Sequence, residues 1–260
     1  MKQVMKINDR FMFLEGFLNR LPFVFGGMDG LIFKKRNTIK LQTISDQKVV
    51  IKSFEKIYLA NRFIYRFFRD SKGKRAFENA IYFLSQGINT PQPIAYLDCY
   101  SNWFFKSGYF ICEYSDFPTL ESFQDLEGTE KKKALFDLGN FIIDLHQKEI
   151  YHLDFSLSNI LFKKMDGTYR FSLVDNNRVK IKQITLKMGV KSLIRLGLPN
   201  NDMIFLIEYY AQRRGLDENK ILKIYFKYKY DQEVKYKRKI LLKKLAKQLF
   251  HFSLKSKSSL

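Results

Sequence analysis

Cysteine, histidine, proline and tryptophan are scarce in this chain of 260 residues, which has two Cys, three His, five Pro and one Trp. Two cysteines, Cys99 and Cys112, cannot form a zinc set or a disulfide framework. Both stand in apolar, strand-like contexts, so buried free thiols in a reducing compartment are expected. The histidines are too few and too scattered to hold a metal. His146 closes a helical pattern (Leu138, Phe141, Ile142, Leu145) and is expected to pack or cap there. Acids are also short, 26 against 46 Lys and Arg, for a net charge of +20. No apolar run is long enough to span a membrane. The most apolar N-terminal stretch, residues 11–25, is interrupted by Glu15, Asn19, Arg20 and Pro22 and lacks a small-residue cleavage site, so a signal peptide is not expected there. It reads as a short amphipathic helix over residues 10–19, capped by Asn8 or Asp9 and either docked on the fold or touching a membrane. No Gly-x-Gly-x-x-Gly, folded RNA-binding motif, internal repeat or low-complexity linker is present.

What remains is a chain long enough for a full core, with 46% hydrophobic residues, 26 Phe and 15 Tyr. That composition excludes intrinsic disorder. The positive charge concentrates in residues 220–257, where Lys and Arg alternate with Ile, Leu, Phe and Tyr. Lys235-Tyr236-Lys237-Arg238-Lys239 and Lys243-Lys244 are the densest runs. Basic, aromatic-laced helices point to nucleic acid or an anionic membrane. Without an RNA-binding motif the membrane surface is the expected partner, and a solvated helix face is the plain alternative.

The chemistry is concentrated in residues 152–175. His152-Leu153-Asp154-Phe155-Ser156-Leu157-Ser158-Asn159 reads as a loop. An apolar strand follows (Ile160, Leu161, Phe162), then a turn at Asp166-Gly167 and a return strand ending Leu173-Val174-Asp175. An Asp-Gly turn between apolar runs is a strong hairpin signal. The hairpin should set Asp175 beside Asn159. Two carboxylates and an amide then converge. That is an oxygen-rich set suited to Mg²⁺, with one carboxylate spare to take a proton. Upstream, Val49-Val50-Ile51-Lys52 is a β-branched run ending in lysine, and a buried strand seldom carries an unpaired lysine. The candidate partner is Glu78, on a helical pattern with Ala76, Ala80, Phe83 and Leu84.

These residues resemble the protein-kinase-like phosphotransferases. The resemblance implies Asp154 as catalytic base, Asn159 and Asp175 as Mg²⁺ ligands, and Lys52 on the ATP phosphates, paired with Glu78. It implies that His152 buttresses the catalytic loop. It also implies a hinge at Glu113 and Tyr114, where the strand Tyr109-Phe110-Ile111-Cys112-Glu113-Tyr114 meets the break Ser115-Asp116-Phe117-Pro118. Two departures stand out. Leu153 replaces the usual Arg after His, and Asn176-Asn177 replaces Phe-Gly after Asp175. Both point away from protein kinases toward small-molecule or sugar kinases. The glycine-rich loop is absent as well. In its place is a basic turn between two strands, where Lys34, Lys35 or Arg36 would substitute charge for backbone amides at the phosphates; the alternative is a solvated hairpin tip. Arg36 is the ATP-binding candidate.

A fuller resemblance is to the bacterial lipopolysaccharide kinase family, with kinases of 3-deoxy-D-manno-octulosonic acid (Kdo) and of core heptose. It rests on Lys35-Arg36-Asn37, Asn61-Arg62-Phe63-Ile64-Tyr65-Arg66-Phe67-Phe68, Ser71-Lys72-Gly73-Lys74-Arg75, Thr90-Pro91-Gln92-Pro93-Ile94 and Val174-Asp175-Asn176-Asn177-Arg178. It implies an α+β, two-lobed protein-kinase-like fold: an N-lobe antiparallel sheet plus one helix in residues 1–114, and a mainly helical C-lobe, reduced at its C-terminal end, in residues 115–260. It implies ATP-dependent phosphorylation of a sugar hydroxyl on lipid-linked core oligosaccharide, with ATP and Mg²⁺. It places the protein in the cytoplasm, peripheral at the inner face of the membrane. A kinase of this fold acting on an aminoglycoside-like molecule or on protein, and a pseudokinase, are the alternatives.

Overall fold

Strand alternation sets what each face of the N-terminal sheet does. The computed structural model describes residues 1–54, 69–101 and 104–257, with side chains described through Leu242. Six strands form one sheet: β1 (Lys2–Ile7), β2 (Leu31–Lys34), β3 (Thr38–Ile44), β4 (Gln47–Ser53), β5 (Pro93–Ser101) and β6 (Phe104–Glu113). Their order is β1-β5-β6-β4-β3-β2, antiparallel throughout. On β4, Val49, Ile51 and Ser53 are buried, while Val50 and Lys52 point to the other face. Val49 and Ile51 join Ile94, Leu97, Tyr109 and Ile111 in a core closed by Leu14, Leu18, Leu21 and Phe25. Each such side chain contributes roughly 1.5–3 kcal/mol by leaving water.

Leu14 ends a 3₁₀ turn (Asp9–Leu14), Leu18 and Leu21 belong to α1 (Glu15–Val24), which follows it, and Phe25 begins a second 3₁₀ turn (Phe25–Gly27). Asn8 caps the turn, accepting from the Arg10 N–H. The segment is docked on the sheet and runs past the expected end at Asn19, through Pro22. Burial of Leu18, Leu21 and Phe25 in one cluster holds the turn that Pro22 would otherwise break. The sequence reading missed β1, because its Lys2, Val4 and Lys6 are exposed and only Gln3, Met5 and Ile7 face inward. The basic turn is a hairpin tip, Lys35-Arg36-Asn37, joining β2 to β3.

Helix α2 (Lys72–Ser85) starts at Ser71, whose hydroxyl accepts from the Lys74 N–H at 3.0 Å. Its apolar stripe (Ala76, Phe77, Ala80, Phe83) is buried. Gly73 is required by proximity. A Cβ there would lie 2.6 Å from the Tyr109 carbonyl oxygen, so only glycine lets α2 approach β6 this closely.

After β6 comes a 3₁₀ turn (Leu120–Asp125), followed by α3 (Gly128–Gln147), which buries His146 near its end. Short strands follow: β7 (Ile150–His152), β8 (Ile160–Met165), β9 (Thr168–Leu173) and β10 (Val179–Ile181). β8 and β9 form the predicted hairpin. Asp166 (φ 49°) and Gly167 (φ 76°) supply the two left-handed residues of a tight turn.

The chain divides into two compact units, residues 1–184 and 185–260. The expected lobe boundary at 114/115 falls inside the first, at the end of β6. The second unit is helical: α4 (Leu186–Leu196), α5 (Asn200–Arg213) and α6 (Glu218–Lys257). α6 packs on α4 and α5 and buries Ile221 and Tyr225. From Lys235 to Leu242 its side chains are exposed. Lys243 and Lys244 lie outside the residues whose side chains are described, as does the motif at 61–68. Cys99 and Cys112 are buried free thiols, as expected. No described helix is long and apolar enough to cross a membrane.

Candidate active site

The outward face of β4 lines a cavity of about 640 Å³, a size suited to a nucleotide. Its walls include Ile39, Val50 and Phe110 from the sheet and Leu161 and Phe117 from below. Phe110 and Ile39 flank Lys52 on the neighbouring strands. Six predicted residues, Arg36, Lys52, Glu113, Tyr114, Asn159 and Asp175, line this cavity. The hairpin accounts for the last two. Pairing of Ile160 with Leu173 brings the Val174 N–H to the Asn159 carbonyl at 3.0 Å, with Asp175 next in the chain.

Lys52 does not pair with Glu78. Its ammonium lies 2.6 Å from Asp175 Oδ1, with both side chains largely buried. Glu78 is exposed and lies 3.8 Å from Lys74 on its own helix. The cause is helical geometry. Ala76 lines the cavity and Asn79 donates to the Asn176 carbonyl at 2.6 Å, so residues 72, 76 and 79 form the inward face. Glu78 is two residues, or about 200°, from Ala76. No acid stands on that inward face, and Asp175 takes the lysine.

Asp175 is itself in a left-handed conformation, φ 60°. A side chain there is strained and must be held by its surroundings. Asn177 donates to its Oδ1. The buried Asn176 donates to Thr90 Oγ1 at 2.8 Å, and Thr90 donates to the Leu173 carbonyl at 2.7 Å. This polar net, completed by Asn79, stands where Phe-Gly was absent from the motif.

The donor set fits a hard cation. Asn159 Nδ2 donates to the Asp154 carbonyl at 2.8 Å, which assigns the other end of the amide as oxygen. Asp175 Oδ1 is engaged by Lys52 and Asn177, which leaves Oδ2. Two oxygens from facing strand ends are what Mg²⁺ takes from a protein when phosphates complete its shell. Among the described residues no group of three or more His, Cys, Asp or Glu could hold a metal by itself.

Positive charge gathers at this end of the cavity. Lys52 and Lys72 both lie over the Phe54 ring, at 5.6 and 5.5 Å. Burial, then Arg36 and Lys52, pushes the Lys72 ammonium below its usual range, and Asp175 pulls it back. Lys72 thus lies within electrostatic reach of two further cations, Arg36 and Lys52, an arrangement suited to a polyphosphate. The sequence offered no signal for Lys72 beyond its place in a quoted stretch.

At the hinge the N–H groups of Glu113 and Tyr114 are already donated, to the carbonyls of Gln92 (2.9 Å) and Lys48 (3.0 Å). Gln47 holds the Glu113 carboxylate at 3.2 Å. Neither N–H is open to a base in the cavity, so the expected hinge role narrows to other peptide atoms of the segment. Cys112 also lines the wall, with its thiol pushed up to about 12 by burial, and is no nucleophile.

Asp154 is half-buried at the loop between β7 and the turn before β8. Its N–H donates to His152 Nδ1 at 3.2 Å, so the imidazole is neutral with its proton on Nε2. Burial pushes His152 below its usual range, against the pull of Asp175 and Asp154. His152 thus touches the loop that it was expected to buttress. One contact was not anticipated: Arg178 lies 3.1 Å from Asp154 Oδ2.

A family model described as the lipopolysaccharide kinase (Kdo/WaaP) family matches residues 41–210. A search of curated proteins finds no match. Among solved structures, "WaaP in complex with acyl carrier protein" superposes with a TM-score of 0.58 at 16% identity, covering 86% of this chain and 92% of that one. A crystal structure of WbdD gives 0.47 at 16% identity, over 76% of this chain and 45% of that one. The fold is α+β, of the two-lobed protein-kinase-like class: an antiparallel sheet with helices α1 and α2, then a mainly helical part.

Proposed function

This chain belongs to the lipopolysaccharide kinase (Kdo/WaaP) family, and from that premise we propose how its residues transfer phosphate from ATP to a Kdo or heptose hydroxyl of lipid-linked core oligosaccharide. The observation that carries the reading is the convergence of Lys52, Asn159 and Asp175 on one nucleotide-sized cavity, with Asp154 on the same short loop as Asn159.

Lys52 holds the α- and β-phosphates, and Arg36 and Lys72 supply the charge that a glycine-rich loop supplies elsewhere through its amides. Asn159 Oδ1 and Asp175 Oδ2 would hold Mg²⁺, which would supply neutralisation of the charge that develops on the transferring phosphate. Val50, Ile39, Leu161 and Phe117 clasp the adenine, and peptide atoms of the segment around Glu113 and Tyr114 orient it. Asp154 accepts the proton of the sugar hydroxyl as its oxygen bonds to the γ-phosphorus and the bond from that phosphorus to the β-phosphate oxygen breaks, releasing ADP, while the neutral His152 keeps the loop in place. Residues 1–114 act as the nucleotide lobe and 115–260 as the acceptor lobe. The exposed basic segment after Val234 faces an anionic membrane, which keeps the enzyme peripheral at the cytoplasmic leaflet beside its substrate.

The test is direct. Purified protein is incubated with Mg-ATP and a panel of Kdo-lipid, heptose-core, aminoglycoside and protein acceptors. Phosphate on a sugar hydroxyl, lost in Asp154→Ala by about 10²–10⁴-fold with ATP affinity retained, is expected. Phosphate on serine or tyrosine alone overturns the sugar reading. More than about a tenth of the wild-type rate in the variant removes Asp154 as base.

A further inference from the structure

Leu153 stands where a kinase loop usually carries arginine, and a leucine cannot hold a neighbouring carboxylate. The chain returns to the spot from the other side. After Asp175, β10 pairs antiparallel with β7, Val179 opposite His152. One residue earlier, the Arg178 carbonyl accepts from the Leu153 N–H at 2.8 Å. That register places residue 178 across from residue 153. The guanidinium then reaches forward, and its Nη1 donates to Asp154 Oδ2 at 3.1 Å.

We infer that Arg178 is a positioning residue for Asp154, holding Oδ2 so that Oδ1 faces the acceptor hydroxyl. The inference rests on Asp154 being the base. Stability does not account for the contact, because the two side chains are 54% and 46% exposed and exposed ion pairs add little to folding. The local fold depends on the backbone of Arg178, through the bond to Leu153 and the ladder to β7, and a side-chain substitution leaves both intact. A carboxylate on a loop has rotational freedom about two bonds. Fixing one oxygen selects the rotamer in which the other can take a proton, and misplacement by an ångström can cost about 100-fold in rate. The contact is a single N–H to a single oxygen, so a lysine ammonium can reproduce it in part.

The experiment compares wild type, R178Q, R178K and D154N as full chains. The probe is the Kdo-lipid or heptose-core acceptor that the wild type phosphorylates, with Mg-ATP. R178Q is expected to lower kcat about 10–100-fold while KM for ATP and for acceptor stay within about twofold. R178K is expected to recover part of the loss. The thermal midpoint is expected to match wild type in both. A fully active R178Q beside an inactive D154N overturns this inference alone. A D154N that keeps its rate removes the base, and this inference with it. A rise in acceptor KM at unchanged kcat makes Arg178 a ligand for an anionic group on the acceptor, which overturns positioning. A kcat loss that tracks a fall in thermal midpoint, or an R178K as inactive as R178Q, overturns it too.

Discussion

Asp98 should make the stability of this protein fall as pH rises toward neutrality. It lies on β5 opposite Gly108 and is 3% exposed. Burial pushes its carboxyl up to about 7 from an ordinary 3.8, against the opposing pull of the Ser71 hydroxyl and Lys74. The folded state therefore keeps a proton that the unfolded chain releases between about 3.8 and 7. In that window the unfolded chain binds fewer protons, so stability is greatest at the acid end and is lost as pH rises through the folded value. At 1.36 kcal/mol per unit, the whole window is worth about 4 kcal/mol, and the span from pH 5 to pH 8 about 2.5 kcal/mol. Asp98→Asn abolishes the titration. The check is urea unfolding, followed by circular dichroism, of wild type and variant at pH 5, 6.5 and 8. Subtracting one from the other at each pH cancels every group they share. The difference should move by about 2.5 kcal/mol against the wild type from pH 5 to pH 8. An unchanged difference refutes the reasoning. The outcome bears on the site, because Ser71 caps the helix that carries Lys72.

Asp175→Asn should weaken nucleotide binding in the presence of Mg²⁺ by about tenfold or more, roughly 1.4 kcal/mol, and calorimetry with and without the metal reads it; equal affinity would count against the metal role. His152 acts on stability with the opposite sign to Asp98. The unfolded imidazole takes a proton near 6.5 and the folded one only lower, so stability falls as pH drops below about 6.5, by up to about 1.4 kcal/mol per unit. His152→Asn should remove that slope in acid titrations of unfolding, and a slope that survives assigns it to other groups. Charge reversal at Lys235, Lys237, Arg238 and Lys239 should release the protein from anionic vesicles, each cation near such a surface being worth about 1 kcal/mol. Turnover on a membrane-embedded acceptor should fall while turnover on a delipidated one holds, and equal loss on both would place the segment in the fold or the sugar site.

Local signals were enough for the parts of this site that are close in sequence. Asp154 and Asn159 sit on one loop, and the Asp-Gly turn sets the register that carries Asp175 to Asn159. Alternation on β4 aims Lys52 away from the core. The family resemblance followed from the same stretches. Partners brought from a distance were not legible. Periodicity places Glu78 on a helix, but which face that helix turns inward depends on its packing against β5 and β6, with Gly73 against Tyr109. That packing turns Ala76 and Asn79 inward and leaves Lys52 to Asp175. The sequence placed the hinge at Glu113 and Tyr114 but not the partners of their N–H groups, which are taken by the Gln92 and Lys48 carbonyls, because such hydrogen bonds depend on strand order. Arg178 meets Asp154 only because β10 pairs with β7. The sequence by itself determined which residues could do the chemistry, since turn types and strand periods are local. Tertiary structure decided which charges meet, since ion pairs form between side chains that the topology, not the spacing, brings within reach.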